Sequence, residues 1–103
     1  MDLREIKLRQ RLGRQPLAAL WMSIGSATVI ELAGAAGADA IVIDVQHGLW
    51  DRASLEAAVG AVAPGTSALV RVAENTALAI GQALDTGAEG VIVPLIEDGA
   101  AAA

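Results

Sequence analysis

The side chains of this sequence that could do chemistry are concentrated just after one apolar run. Residues 40–43 are typical of a buried strand, and Asp44, Gln46 and His47 follow, the last being the only histidine. Ligands of parallel α/β proteins bind at the carboxyl ends of the strands, so this group indicates a ligand site. His47 is the candidate general base, because an imidazole exchanges a proton near neutral pH. The alternative is a loop histidine that caps a carbonyl group; the neighbouring Asp44 and Gln46 favour catalysis.

A second candidate, Arg71, ends the apolar run at 68–70. A guanidinium group binds a carboxylate or an enolate oxygen well, so Arg71 is the predicted anion-holding residue. A surface salt bridge to Glu74 is the alternative. Asp44 could either hydrogen-bond the substrate or His47, or cap the following loop, and the sequence favours neither role. Gln46 is expected on the same side of the strand as Asp44.

The two tryptophans are the remaining candidates near these positions. Trp21 stands at the end of another apolar run, where it either lines a pocket or packs. Trp50 follows the His47-Gly48 turn, where it shapes a lid or an interface, and we favour the interface.

These residues need strands that share one direction. The apolar runs predict strands at 18–24, 40–45, 68–72 and 90–95, with helices at 28–36, 52–62 and 76–86 and a leading helix within 1–14. The runs do not alternate with polar residues, which suits strands covered on both faces. The segments 37–44 and 87–94 resemble each other, and right-handed crossovers would make all four strands parallel.

The helix ends have recognisable signals. Thr28 with Glu31 forms a capping-box pattern, and Asp51 and Asn75 are predicted N-caps. Gly37 and Gly87 stand where a helix ends in the left-handed conformation.

Strands alternating with helices build either a doubly wound sheet or a (β/α)8 barrel. The glycine-rich fingerprint of dinucleotide-binding domains does not follow the first strand, which weakens the first reading. A complete barrel takes about 250 residues. We therefore expect residues 1–103 to be a single partial domain, the N-terminal half of a (β/α)8 TIM barrel, with four βα units in 18–103 and further chain in the complete protein.

Composition excludes several function classes. The 103 residues are 54% hydrophobic with a net charge of −5, no cysteine and no apolar run long enough to span a bilayer. Five of the 7 basic residues lie in the first fourteen positions, where an amphipathic helix explains them better than a presequence or a nucleic-acid-binding arm. We expect a cytoplasmic protein without a nucleic-acid or membrane partner.

Six motifs in order give the chain a family resemblance. They are LWMS at 20–23, ELAGAAGAD at 31–39, IDVQHG at 43–48, VRV at 70–72, ALDTGA at 83–88 and VPL at 93–95. In these the sequence resembles the HpcH/HpaI family of metal-dependent class II pyruvate aldolases, of which 4-hydroxy-2-oxoheptanedioate aldolase is a member.

The resemblance implies a (β/α)8 barrel, a divalent metal such as magnesium or manganese, and a homo-oligomer. It matches His47 to the catalytic histidine, Arg71 to the enolate-stabilising arginine, and Asp85 to the aspartate that raises the basicity of the histidine. Gln46 stands where the family often has glutamate. The family's metal-binding Glu and Asp lie in the second half of the barrel, so no residue here is matched to a metal ligand.

The position of Asp85 has a further implication. Asp85 stands at the end of a helix, before the fourth strand, at the opposite edge of the sheet from His47. A five-residue strand spans about 17 Å, so we expect Asp85 to reach the His47 of a neighbouring subunit. The alternative is an ordinary exposed acid.

The resulting expectation is an aldolase that cleaves 4-hydroxy-2-oxo acids to pyruvate and an aldehyde through an enolate. Lys7 is the only lysine and lies in the leading segment, so a Schiff-base route has no candidate. Two alternatives stay open. One is a citrate-lyase-like or phosphoenolpyruvate-using barrel enzyme, and the other is a non-catalytic half-barrel that associates through its edge strands.

Overall fold

The computed structural model describes residues 7–103. Four strands alternate with helices in this part of the chain. The strands are β1 (Ala19–Met22), β2 (Ala40–Asp44), β3 (Ser67–Arg71) and β4 (Gly90–Ile92), and the helices are α1 (Leu8–Arg11), α2 (Ala27–Ala35), α3 (Arg52–Ala61), α4 (Ala77–Asp85) and α5 (Gly99–Ala102).

The four strands form one sheet in the order β1-β2-β3-β4, and all three pairings are parallel, as the sequence predicts. The register sets Trp21 beside Val42 and Asp44 beside Arg71. The carboxyl ends of β1, β2 and β3 therefore lie at one edge of the sheet, which is the edge expected to bind a ligand.

The core lies between one face of the sheet and the helices. Ile41 and Ile43 of β2 and Val70 of β3 are fully buried against residues of α2, α3 and α4, which include Ile30 and Leu55. Because the strands follow one another in sequence order, right-handed crossovers place these three helices on the same face.

Side chains alternate along a strand, so Trp21, Val42, Asp44 and Arg71 belong to the other face. Trp21 is 50% exposed there. Within residues 7–103, helices pack on one face of the sheet, whereas the sequence predicts cover on both.

Two of the predicted helix caps are wrong and one is correct. Asp51 caps α3, its carboxylate accepting from the Ser54 N–H at 2.8 Å. The N-cap of α2 is Ser26, which is extended and makes no side-chain cap hydrogen bond, and Thr28 lies inside the helix. The N-cap of α4 is Thr76, whose hydroxyl accepts from the Ala79 N–H at 3.1 Å.

The predicted C-terminal glycines are confirmed. Gly37 and Gly87 have φ values of 90° and 92°, the left-handed conformation that ends α2 and α4.

The fourth strand is shorter than the sequence predicts. It ends at Ile92 rather than at residue 95. Pro94 has no N–H for a sheet hydrogen bond, and Leu95 has a φ of 61°, which turns the chain out of the strand direction.

The leading helix is described only in part. The first six positions of the predicted segment lie outside the described residues, and α1 covers Leu8–Arg11. The Leu8 N–H donates to Glu89 at 2.7 Å, and Arg11 forms an ion pair with Asp39, so α1 contacts the amino-terminal edge of the sheet. None of the helices in 7–103 has the length and apolar character needed to cross a membrane.

Candidate active site

Three of the predicted site residues meet at the carboxyl edge of the sheet, with Asp44 between the other two. Arg71 Nε donates to Asp44 Oδ1 at 3.0 Å and Arg71 Nη2 to Asp44 Oδ2 at 2.5 Å. Trp21 Nε1 donates to the same Oδ2 at 3.0 Å. The Arg71 guanidinium also lies over the Trp21 ring, with its carbon 4.9 Å from the ring centroid. The three side chains form one polar cluster, which we call the Asp44 cluster.

Asp44 also determines where the following loop begins. Its Oδ1 accepts from the backbone N–H groups of Gln46 and His47 at 3.0 and 3.1 Å. Asp44 therefore caps the loop that carries His47, which was one of its two predicted roles. Its contact with His47 is to the backbone and not to the imidazole.

Asp44 is only 2% exposed, and its charge is retained in spite of that burial. Burial acts to raise the pKa of the carboxyl group, because desolvation penalises the charged form. The effect of burial is outweighed by hydrogen bonds from Arg71, Trp21 and the His47 N–H, together with the Arg71 charge. These contacts hold the pKa of Asp44 well below its ordinary value. The site therefore contains a fixed carboxylate–guanidinium pair.

Arg71 contacts Asp44 rather than Glu74, so the predicted alternative of a salt bridge to Glu74 is wrong. A guanidinium has five N–H groups, and Asp44 occupies one on Nε and one on Nη2. The side chain is 23% exposed. Arg71 is thus held in place while three donors remain for the oxygen of a ligand.

His47 and Gln46 lie on the loop between β2 and α3. The His47 residue is exposed and Gln46 is half-buried. Within residues 7–103, neither side chain forms a hydrogen bond, so the imidazole is positioned through the backbone of its loop.

Asp85 does not join this group within the chain. It is the last residue of α4 and is exposed. The residues after Asp85 lead into the amino end of β4, where the Glu89 N–H donates to Ala68 O. Asp85 therefore lies at the amino-terminal edge of the sheet, whereas His47 lies at the carboxyl edge.

Trp50 is placed differently from the sequence-based interpretation. It is 7% exposed and belongs to the core, and its Nε1 donates to Met22 O at 3.1 Å. An interface role is therefore wrong for this side chain. The signal that could have indicated it was the indole N–H, which needs a partner when it is buried.

A wide groove of the described residues lies away from the Asp44 cluster. It is a groove of about 640 Å³ at the amino-terminal edge, beside Arg11 and Asp39. Ligands of parallel sheets bind at the other edge, and the Asp44 cluster has the convergent charged groups, so we place the candidate site there. Among residues 7–103, no group of three or more His, Cys, Asp or Glu side chains could hold a metal ion.

A family model and individual relatives both match this chain to aldolases. The family model for HpcH/HpaI aldolase/citrate lyase matches residues 17–103. A hydroxypyruvate/pyruvate aldolase of Agrobacterium fabrum is 37% identical over 81% of this chain and 32% of its own length. A 4-hydroxy-2-oxovalerate aldolase of Novosphingobium aromaticivorans is 33% identical over 75% of this chain and 30% of its own length.

Solved structures agree in fold. An HpcH/HpaI aldolase/citrate lyase family protein of Burkholderia cenocepacia superimposes with a TM-score of 0.85 at 33% identity, covering 92% of this chain and 39% of that one. Macrophomate synthase superimposes with a TM-score of 0.81 at 27% identity, covering 98% of this chain and 36% of that one. The chain thus spans about a third of the length of these relatives, and the predicted α/β fold of four βα units from such a barrel is confirmed.

Proposed function

Since the chain belongs to the HpcH/HpaI aldolase/citrate lyase family, we propose that the protein is a metal-dependent aldolase that cleaves 4-hydroxy-2-oxo acids to pyruvate and an aldehyde. One observation supports this most directly. The Arg71 guanidinium is held by Asp44 at the strand edge, next to the loop that carries His47. Cleavage of a 2-oxo acid generates an enolate, and a preorganised, partly desolvated cation stabilises that developing charge.

The reaction requires a base and a holder for the enolate oxygen. His47, directly or through a water molecule, removes the proton of the 4-hydroxyl group. The bond between C3 and C4 breaks, C4 leaves as the aldehyde, and the electron pair forms the enolate of pyruvate. Arg71 binds the enolate oxygen, and a proton delivered to C3 completes pyruvate. Trp21 and Gln46 are the proposed substrate contacts, and Asp44 acts on the substrate through Arg71.

The proposal includes a divalent metal, magnesium or manganese. The described residues provide no ligand set for it. Its ligands would come from the part of a complete barrel that lies outside these four βα units.

The role of Arg71 can be tested by exchange of the C3 protons of pyruvate in deuterated water, followed by NMR. Arg71→Ala in the full-length protein should lower the exchange rate by at least about a hundredfold, because a transition-state charge loses its donor. The matched control is Arg52→Ala, which removes an exposed arginine at the start of α3 and should leave exchange intact. Retained exchange in Arg71→Ala would contradict the assignment.

The proposed enzyme is a cytoplasmic homo-oligomer in which Asp85 of one subunit acts on His47 of another. The separation of the two residues within the chain supports this arrangement. Mixed oligomers test it. Subunits carrying His47→Ala should regain activity when assembled with subunits carrying Asp85→Ala, because some sites then receive an intact His47 and an intact Asp85.

The control for this experiment mixes His47→Ala with Arg71→Ala subunits. These residues belong to the same edge of the same sheet, so no mixed site becomes complete and activity should stay lost. If the Asp85 mixture also stays inactive, Asp85 does not act across subunits.

A citrate-lyase-like reaction is the second candidate. The matched family includes citrate lyases, and a citrate synthase superimposes on 88% of this chain with a TM-score of 0.81. Cleavage assays on 4-hydroxy-2-oxo acids and on acyl-CoA thioesters would separate the two. A protein that cleaves neither and only self-associates would support the non-catalytic alternative.

A further inference from the structure

The loop that carries His47 is hydrogen-bonded to the end of β1. The Leu49 N–H donates to Ser23 O at 2.9 Å, and the Trp50 indole N–H donates to Met22 O at 3.1 Å. Trp50 is 7% exposed, so this second bond lies in the core. The loop is thus attached to β2 at its start, through Asp44, and to β1 at its end.

Two glycines show how closely the loop packs. A Cβ added at Gly48 would lie 2.0 Å from Asp44 O and 2.9 Å from Trp50 Cδ1. A Cβ added at Gly25, in the loop after β1, would lie 2.5 Å from Leu49 O. No side chain fits at either position without moving the loop, so the loop packs closely against the segment after β1 and against Asp44.

We propose that Trp50 is a positioning residue, which holds the His47 imidazole at the carboxyl edge by joining the β2–α3 loop to Met22. The His47 side chain has no hydrogen bond of its own within residues 7–103, so its place depends on the backbone of 46–50. Removing the indole N–H leaves the end of that backbone attached to the end of β1 through the Leu49 N–H to Ser23 O bond, and it leaves the Met22 carbonyl without this donor. The catalytic consequence rests on the proposed function; the attachment itself does not.

Hydrogen exchange of the full-length protein, read by mass spectrometry on a peptide that spans residues 45–50, tests the attachment. Trp50→Phe keeps an aromatic ring and removes the N–H group. We expect exchange in this peptide to accelerate about fivefold, the ratio that corresponds to one lost hydrogen bond. The aldol cleavage rate kcat should fall about tenfold with KM within about twofold, because the base is displaced while substrate binding is retained.

Gly25→Ala provides a second variant that leaves Trp50 intact. Its added Cβ presses on Leu49 O, so it should accelerate exchange in the same peptide. Ser54→Ala is the control. It removes the capping box of α3, which is close to the loop in sequence but does not contact β1. The Asp51 N–H, which loses its Ser54 Oγ acceptor, lies outside residues 45–50, so exchange at 45–50 should stay within about twofold of wild type.

Unchanged exchange in both Trp50→Phe and Gly25→Ala would overturn the proposal, and so would equal acceleration in Ser54→Ala. Exchange does not require turnover. A wild-type protein without aldolase activity would therefore remove the proposed function while the exchange data still decide whether Trp50 positions the loop.

Discussion

At the scale of single residues, Asp44 determines the geometry of the site. It accepts hydrogen bonds from Arg71, Trp21 and the backbone of Gln46 and His47, although it is almost fully buried. The sequence identified all of these residues but not their pairing. The pairing depends on the register that sets Asp44 beside Arg71, and a slip of one residue would turn Arg71 to the opposite face. Register is a property of the assembled sheet, so the sequence alone could not give it.

The Asp44 pair predicts an acid-dependent loss of stability. The pKa of Asp44 is lowered in the folded protein, so its contribution is fully present above the unfolded pKa of about 3.9 and is lost progressively as the pH falls from there through the lower folded-state pKa. Asp44→Asn should lower the free energy of unfolding at pH 7 by about 3 kcal/mol, because it leaves Arg71 without its anion. Urea unfolding at pH 7 and pH 3 would measure both effects.

Asp85→Asn is the matched control for that experiment, since Asp85 is exposed at the end of α4. Its free energy of unfolding should stay within about 0.5 kcal/mol of wild type. The difference between Asp44→Asn and wild type should shrink at pH 3. A difference of equal size at both pH values would contradict a role for the Asp44 charge.

At the scale of elements, the ends of helices were more predictable than their starts. Gly37 and Gly87 were identifiable because few other residues tolerate a positive φ. The starts of α2 and α4 were not, because several consecutive residues could cap either helix. The helices begin after Ser26 and Thr76, both of which have extended backbone. Asn75, the predicted cap of α4, instead donates to Ala101 O at 3.2 Å.

One glycine inside α4 and one just after its end should change the free energy of unfolding in opposite directions when replaced by alanine. Gly81 lies inside the helix with no atom within 4 Å of an added Cβ, so Gly81→Ala should stabilise the protein by about 0.5–1 kcal/mol. Gly87 has a φ of 92°, so Gly87→Ala should destabilise it by about 1 kcal/mol. Denaturant midpoints of the two variants would measure this. Changes of the same sign would show that helix-end conformation does not control these positions.

At the scale of the whole molecule, the direction of the strands was predictable and the surroundings of the sheet were not. Apolar runs such as 40–43 predicted cover on both faces, and β2 is indeed buried along its length. In the described part of the chain, this burial comes from helices on one face and from neighbouring strands and side chains on the other. Trp21, on the edge strand β1, remains half-exposed because it has a neighbour on one side only.

The sequential order of the strands bears on how the protein is made. Every pairing joins a strand to the one synthesised just before it, and Asp44 and Arg71 are 27 positions apart. Chains emerging from the ribosome fold from their N-terminus onward, and short separations favour rapid closure. The arginine would thus meet its carboxylate soon after translation passes residue 71. The Asp44–Arg71 pair would then be in place before the strand β4 joins the sheet.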